Sequence, residues 1–268
     1  MTVFGERTEP ATVLSASAYQ VLWEHLGLPS MPIVLLVNPR GYEEDERRAV
    51  VEAAWNELRS SGLVGGRGMD PGLRTMLELL ARPTRSIDVR MWLGHEVRAL
   101  VAGDGYQAAV GVLAEDRLTL RLTHPGGLSR TAAGLLPSTP PGPGRSVSIA
   151  KDLAESAADG VGHDVKAFEN SLRAKGARGS DAHHLAEMLD GPDKYAQFGA
   201  NMRDRLGRER RADHVVAWYA TPKGGYVMED HRSFDGRLWT TIAPADPRRI
   251  SGQIDRLFQD LERQLDTR

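Results

Sequence analysis

Leu238-Trp239-Thr240-Thr241-Ile242-Ala243-Pro244-Ala245-Asp246-Pro247 runs straight into an amphipathic stretch that ends near Leu265. Leu238, Thr240 and Ile242 alternate with Trp239, Thr241 and Ala243, the period-two pattern of a strand. Pro244 lacks the N–H of a ladder residue and is expected to stop the strand. Asp246 is an N-cap by type, and Pro247 takes the first helical position, where a missing N–H is no loss. Ile250, Ile254, Leu257, Phe258, Leu261 and Leu265 then recur at helical spacing and make one apolar face. This stretch predicts a sheet that hands over to a capped helix.

The rest of the chain runs through that theme twice. Thr12-Val13-Leu14 is a short strand, followed by a helix carrying Tyr19, Leu22, Trp23 and Leu26, with Ser15 or Ser17 as its cap. Residues 32–37 are apolar and read as a strand or a buried extended segment. Glu43-Glu44-Asp45-Glu46 opens a helix acid-first, as the macrodipole favours, and Gly62 ends it. Asp70-Pro71 starts a third helix that stops at Pro83. Four strands are then expected, at 87–93, 96–102, 106–114 and 117–123. In the last, Leu118, Leu120 and Leu122 point one way while Arg117, Thr119, Arg121 and Thr123 point the other. One buried face and one wet face argue for antiparallel pairing. Pro125-Gly126-Gly127 ends this meander, and a short helix follows over 128–136.

Residues 137–144, Pro-Ser-Thr-Pro-Pro-Gly-Pro-Gly, read as an exposed linker. After it the order returns. A short strand at 146–149 leads into a helix from Ala150. A second helix carries Val165, Phe168 and Leu172, and a third, capped by Ser180, carries Leu185, Met188 and Leu189. Strands follow at 195–202, 214–221, 226–232 and 238–243. Glu57-Leu58-Arg59-Ser60-Ser61-Gly62 echoes Ser171-Leu172-Arg173-Ala174-Lys175-Gly176, at the same place in the order. The expected fold is therefore α+β. A central, largely antiparallel sheet is flanked by two helical bundles, and the two halves are related by a pseudo-twofold axis. The whole chain reads as one domain, with an N-terminal half at about 11–136, a linker at 137–145 and a C-terminal half at about 146–265. Each half has one wet sheet face, and joining the meanders into one sheet is the simplest closure.

Composition narrows the function. The chain has 268 residues, 41% hydrophobic and 26% charged, with a net charge of −2 and no cysteine. That balance gives no global electrostatic case for nucleic acid or an anionic membrane. Without cysteine there is no disulfide, thiol chemistry or Cys-ligated zinc. The first ten residues are polar and expected to fray. No apolar run is long enough for a signal peptide or a membrane span, so a cytoplasmic protein outside the Sec route is expected, with no membrane insertion.

Catalytic constellations are sparse. His183 and His184 are neighbours, about 100° apart on a helix, and cannot share a metal comfortably. No recognised ligand spacing follows His163. His95, His124, His214 and His231 fall at strand ends or turns, beside Glu96, Asp213 and Asp230. No metal, no cofactor and no catalytic residue is assigned. Gly65-Gly66-Arg67-Gly68 follows a helix rather than a strand and reads as a flexible loop instead of a phosphate cradle. The basic run at 203–211, with Asp204 and Glu209 inside it, reads as a solvated hairpin tip. An enzyme of mixed fold, binding or hydrolysing a small molecule through Asp230 and His231 at a strand end, is the alternative reading. Apolar surface is what remains. Trp92 shares a strand face with Asp88 and Arg90, opposite Ile87, Val89, Met91 and Leu93, and is a partner-site candidate. Arg90, Trp92, Trp218, Met228, Phe234 and Trp239 form the candidate partner-binding set.

Several words of this sequence, in order and spacing, resemble the EspG family of actinobacterial type VII (ESX) secretion chaperones. They are Leu22-Trp23-x-x-Leu26-Gly27-Leu28, Pro32, Glu46-Arg47, Leu58-Arg59-x-x-Gly62-Leu63, Leu80-Ala81-Arg82-Pro83 and the stretch from Trp239 to Pro247. The resemblance covers roughly residues 10 to 263. It implies the same fold: a central antiparallel sheet, two helical bundles and quasi-twofold halves. It also implies a non-enzymatic cytosolic chaperone that holds the apolar tip of a helical secretion substrate for the export machine. The partner it implies is a PE–PPE-like or WXG-type heterodimer, docked on the sheet face and the C-terminal helical part. A weak homodimer is a further expectation. Family members with known partners carry a long loop between the first two strands of the first meander, whereas here that connection is only Gly94-His95. The short turn and the high arginine content point to a non-mycobacterial relative.

Overall fold

The computed structural model describes residues 11–66, 68–162 and 164–266. The expectations for residues 1–10, for Arg67 and for His163 lie outside the described residues. By packing the chain divides into two units. One holds the residues up to Arg90 with Glu96–Ala132 and Asn201–Arg210. The other holds Met91–His95, Ala133–Ala200 and the residues from Arg211 onward. The fold is α+β with a large antiparallel sheet.

The first unit begins with β1 (Thr12–Ser15) and α1 (Ala16–His25). Ser15 is the cap: its Oγ accepts from Ala18 N at 3.0 Å and donates to Glu57 Oε2 at 2.6 Å. The apolar run at 32–37, expected as a strand or extended segment, instead contains a 3-10 turn at Ile33–Leu35. Pro32 before it has no N–H for a ladder, and Leu35 N bonds Pro32 O at 2.9 Å. Next come α2 (Glu44–Ser60), a small hairpin of β2 (Val64–Gly65) and β3 (Gly68–Met69), and α3 (Pro71–Ala81). Of the loop expected at 65–68, Gly65 ends β2 and Gly68 begins β3, the two facing each other in the ladder. Asp70 caps α3 through Leu73 N at 2.8 Å.

The meander is β4 (Arg85–Trp92), β5 (Glu96–Gly103), β6 (Ala108–Ala114) and β7 (Arg117–Thr123). Its strand order is β1-β7-β6-β5-β4. Strand β6 starts at Ala108 rather than 106, because the Asp104 carboxylate turns the chain by accepting from Tyr106 N and Gln107 N, both at 2.8 Å. Glu115 and Asp116 take positive φ of 48° and 61° in the two-residue turn before β7. The leucines of β7 enter a core with Leu14, Tyr19, Leu22, Leu35, Leu58, Leu73, Leu77 and Leu80, so α1, α2 and α3 cover one sheet face. A short α4 (Leu128–Ala133) follows.

The second unit repeats this connectivity. It runs β8 (Val147–Ala150), α5 (Lys151–Ala158), α6 (Val165–Ala174), α7 (Gly179–Met188) and then the meander. Helix α7 begins at Gly179 without a side-chain cap, so Ser180 lies inside its first turn instead of capping it. The strands are β9 (Lys194–Arg203), β10 (Glu209–Arg211), β11 (Val216–Thr221), β12 (Gly224–Arg232) and β13 (Leu238–Pro244), with α8 (Pro247–Asp266) last; residues 201–210, the end of β9 and most of β10, are counted with the first unit. Here the order is β8-β13-β12-β11-β9, the counterpart of β1-β7-β6-β5-β4, while β10 pairs with β9 as an addition. Pro244 does not stop the strand before itself: it is the last residue of β13, in register with Tyr226. Asp246 then caps α8, accepting from Arg249 N at 2.7 Å.

The Pro/Gly segment is tied down rather than open. Gly142 N bonds Gly225 O at 3.0 Å, and Gly225 N bonds Pro140 O at 2.8 Å. Gly225 O also accepts from Ala245 N at 3.0 Å, so one carbonyl holds both this segment and the lead into α8. The approach needs glycine. A Cβ on Gly142 would lie 2.1 Å from the ring of buried Tyr226.

Two substitutions separate close approach from helix propensity. Gly142→Ala is expected to lower stability by about 1–3 kcal/mol, through overpacking against Tyr226. Gly252→Ala, exposed in the interior of α8 with open space around it, is expected to raise stability by about 0.5–1 kcal/mol. Urea titration of each variant measures both.

Candidate functional site

The register of the second unit sorts its side chains onto two faces. Val147, Ile149, Tyr219, Tyr226 and Ile242 point into a core with Leu172, Leu185 and Met188, so α5, α6 and α7 cover that face. On the other face α8 packs against β11, burying Ile250, Ile254, Leu257, Phe258 and Leu261. The strip beyond β11 is less covered. Glu229 faces Thr241, His231 faces Trp239, and Thr241 and Trp239 face Ser148 and Ala150. Ser148 and His231 are exposed, and Glu229, Trp239 and Thr241 half-buried. Ser148 Oγ and Thr241 Oγ1 hydrogen-bond at 2.7 Å, and Arg256 of α8 reaches Glu229 at 3.6 Å.

The candidate partner-binding residues divide. Phe234 is fully exposed in the turn between β12 and β13, and Trp239 lies on the open strip. On β4, Ile87, Val89 and Met91 are buried while Arg90 and Trp92 are exposed, Trp92 by 42%. Trp92 therefore stands on the polar side of its strand, as its spacing predicts. Trp218 is a correction: it is 2% exposed in the core and cannot touch a partner. Met228 is half-buried and packs against the α5–α7 core, so it supports β12 from behind. Sequence reasoning missed Leu238, 38% exposed at the far end of β13.

Asp230 and His231, the pair of the enzyme reading, do not converge. As consecutive strand residues they point to opposite faces. Asp230 pairs with Lys151 at the start of α5 and accepts from Thr240 Oγ1 at 2.6 Å. His231 is on the other face, across from Trp239. Three further histidines make local contacts. His124 Nδ1 accepts from Gly126 N at 3.1 Å, His214 pairs with adjacent Asp213 at 2.7 Å, and His183 lies between Glu169 and Glu187 at 3.3 and 3.7 Å. Among the described residues no group of three His, Asp or Glu side chains could hold a metal ion. A cleft of about 480 Å³ at the start of α1 is lined by Ser15, Arg40, Glu57, Asp116 and Arg117. There the Ser15 hydroxyl is committed to Glu57 and to the cap.

The basic run at 203–211 folds as the β9–β10 hairpin. Asp204 holds its turn, accepting from Leu206 N at 2.9 Å and Arg208 N at 2.8 Å and pairing with Arg210 at 3.3 Å. Those backbone hydrogen bonds, Arg208 first, hold the Asp204 carboxyl below the usual carboxylate range.

Burial works to raise the Asp230 carboxyl, but the hydrogen bonds from Lys151 and Thr240, with the charges of Lys151 and His214, outweigh it and hold its pKa below 3.8. The hydrogen bond to Asp230 lifts Lys151 above 10.5, aided by the charges of Asp230 and Glu155. The carboxylate's share of stability is therefore present above pH 3.8 and lost as pH falls through the depressed value. The ammonium's share is present below pH 10.5 and lost as pH rises through the elevated one. Urea titrations of the wild type and Lys151→Met are expected to differ by a constant amount across neutral pH, with the difference shrinking only at those two ends.

The EspG family model matches residues 15–256. The ESX-1 secretion-associated protein EspG1 of Mycobacterium tuberculosis is 25% identical over 246 residues, covering 89% of this chain and 83% of that protein. The ESX-3 secretion-associated protein EspG3 of Mycolicibacterium smegmatis is 25% identical over 260 residues, covering 94% and 87%. Among solved structures, the Mycobacterium tuberculosis type VII secretion system chaperone EspG5, in complex with a PE25–PPE41 dimer, is similar with a TM-score of 0.75 at 15% identity, over 94% of this chain and 97% of that one. The fold is shared with that structure. Since the family model spans nearly the whole chain, the chain belongs to the EspG family.

Proposed function

We propose that this protein is a cytosolic chaperone of type VII secretion. It binds the apolar tip of a helical substrate, a PE–PPE-like or related heterodimer, and keeps it soluble for the ESX export machinery. The observation that carries the reading is the family match over residues 15–256. The EspG5 structure, with its PE25–PPE41 dimer, supplies the partner type. The geometry supports a binding role. The half-open strip of β8, β13 and β12 and the exposed Phe234 offer apolar surface on a preformed sheet, which suits the end of a helix pair. Docking is assigned to Phe234 and Trp239 on that side and to Arg90 and Trp92 on β4. Among the described residues no helix is long and apolar enough to cross a membrane, which is consistent with a cytosolic site of action.

The β4–β5 connection is a tight turn in the structure, with Leu93 N bonded to His95 O at 3.0 Å and Gly94 at φ 88°. No loop extends there to contribute to partner choice, so specificity falls to the remaining surface.

Co-expression with helical type VII heterodimers from the same genome tests the reading. The wild-type chain is expected to co-purify with one of them and keep it soluble. Phe234→Ser with Trp239→Ser is expected to weaken that complex about tenfold or more, at hot-spot magnitudes. Recovery of no heterodimer, and no gain in solubility for any, would remove the chaperone reading.

A further inference from the structure

The two units share one connectivity, so each position in one has a counterpart in the other. The third residue of each leading strand is Leu14 in β1 and Ile149 in β8. Leu14 faces Leu118, which faces Leu113; Ile149 faces Thr240, which faces Asp230. The first residue of the following helix is Ala16 in one unit and Lys151 in the other. In the first unit all four positions are apolar and buried. In the second, three of the four are polar, and those three are joined: Lys151 to Asp230, and Thr240 to Asp230. Lys151 is 33% exposed and Asp230 25%. The connectivity does not require this cluster, since the first unit is built without it. Nor is a half-buried ion pair a strong stabiliser compared with apolar residues of similar size.

Its place in the ladder gives it a task. Strand β11 pairs with β12 only as far as Glu229, opposite Val216. Strand β8 pairs with β13 only as far as Trp239, opposite Ala150. Beyond these limits the ribbon of residues 230–240 loses its outer neighbours: residues 230–232 have no partner on the β11 side and Leu238 none on the β8 side, leaving the pairs of Asp230 with Thr240, His231 with Trp239 and Arg232 with Leu238. Its turn is closed by Ser233 and Arg237, with Ser233 N bonded to Arg237 O at 2.9 Å. A two-stranded ribbon is marginal in water by itself. This one carries Phe234, Leu238 and Trp239, the exposed or half-exposed apolar side chains of that end. The Lys151 ammonium reaches from α5 to the first residue of the ribbon and makes a charge-assisted hydrogen bond there.

We propose that Lys151 is a positioning residue that, through Asp230 and Thr240, locks the ribbon of residues 230–240 in the geometry in which Phe234 and Trp239 meet a partner. The role in docking rests on the chaperone reading above; the lock itself does not. A ribbon ordered before encounter does not lose its freedom on binding, and affinity rises by that amount.

Amide hydrogen exchange on the whole chain, with and without Lys151→Met, tests the lock. Residues 231–238 are expected to exchange at least about fivefold faster in the variant, while α5, α6 and α7 keep wild-type protection. Lys151→Arg keeps the charge and is expected to restore slow exchange. Binding of the heterodimer recovered by co-expression, measured by calorimetry, is expected to weaken about fivefold to tenfold in Lys151→Met and to recover in Lys151→Arg. Unchanged exchange at 231–238, or faster exchange spread evenly over the second unit, overturns the lock. Faster exchange confined to the ribbon with unchanged affinity overturns its role in docking. If the wild type binds no heterodimer the chaperone reading fails, and the exchange experiment still decides whether Lys151 orders the ribbon.

Discussion

Each unit depends on one long-range pairing, that of its short leading strand with the last strand of its own meander. Thr12 lies opposite Leu120, and Ile149 opposite Thr240, so about a hundred residues separate the partners. Closing so long a loop is entropically unfavourable, and only a few ladder hydrogen bonds are gained directly. The return comes from the helices. With the leading strand fixed at one edge, the three helices that follow must cross to the far edge where the meander begins. On the way they lay their apolar stripes on a single sheet face. The cores built around Leu14, Leu22 and Leu118, and around Ile149, Leu185 and Tyr226, follow from that threading.

The same constraint explains where surface stays open. A sheet has two faces, and each helical triplet covers one. In the second unit the remaining face is left to α8, which packs against β11. One helix is about 10 Å wide with its side chains, while neighbouring strands are spaced by nearly 5 Å. A single helix cannot cover five strands. The strip at β12, β13 and β8 is what is left over. Its residues show the compromise: Thr241 and Ser148 bond to each other, Glu229 is reached by Arg256, and Trp239 stays half-buried.

The sequence was legible wherever one face is buried against a regular element. The Leu118, Leu120 and Leu122 alternation gave β7 residue for residue. Asp70-Pro71 and Asp246-Pro247 marked two helix starts, because cap chemistry is local. Legibility failed where the deciding contact was distant or the signal was apolar without a period. Ile33, Val34 and Leu35 carry no distinction between a strand and a 3-10 turn until the chain direction is known. Strands β2, β3 and β10 are two or three residues long, and β10, Glu-Arg-Arg, has no apolar face to read. The Pro/Gly segment looked like a free tether because its partner, Gly225, is more than eighty residues away. Of the candidate site, exposure of Trp92 followed from alternation with Asp88 and Arg90, whereas burial of Trp218 did not. Strand β11 is covered on both faces, and a strand buried on both sides shows no alternation.

Duplication supplies a control that a single-copy fold lacks. Where both units place apolar residues at matched positions, as with Leu14 and Ile149, the shared connectivity accounts for the choice. Where they differ in kind, as with Leu113 and Asp230 or Ala16 and Lys151, the connectivity cannot be the reason, because one unit is built without the polar group. The differences also sit at unlike neighbourhoods. The apolar version in the first unit is sealed within its core, with Leu14 and Leu118 fully buried. The polar version stands at the base of a ribbon whose tip, residues 231–238, has no neighbouring strand and carries the exposed Phe234. A charge-assisted hydrogen bond is directional, whereas the burial of leucine side chains is not. Holding a short ribbon at one angle calls for the directional contact, and the second unit has it at the Asp230–Thr240 pair, beside Ile149 of β8 and bonded to Lys151 of α5.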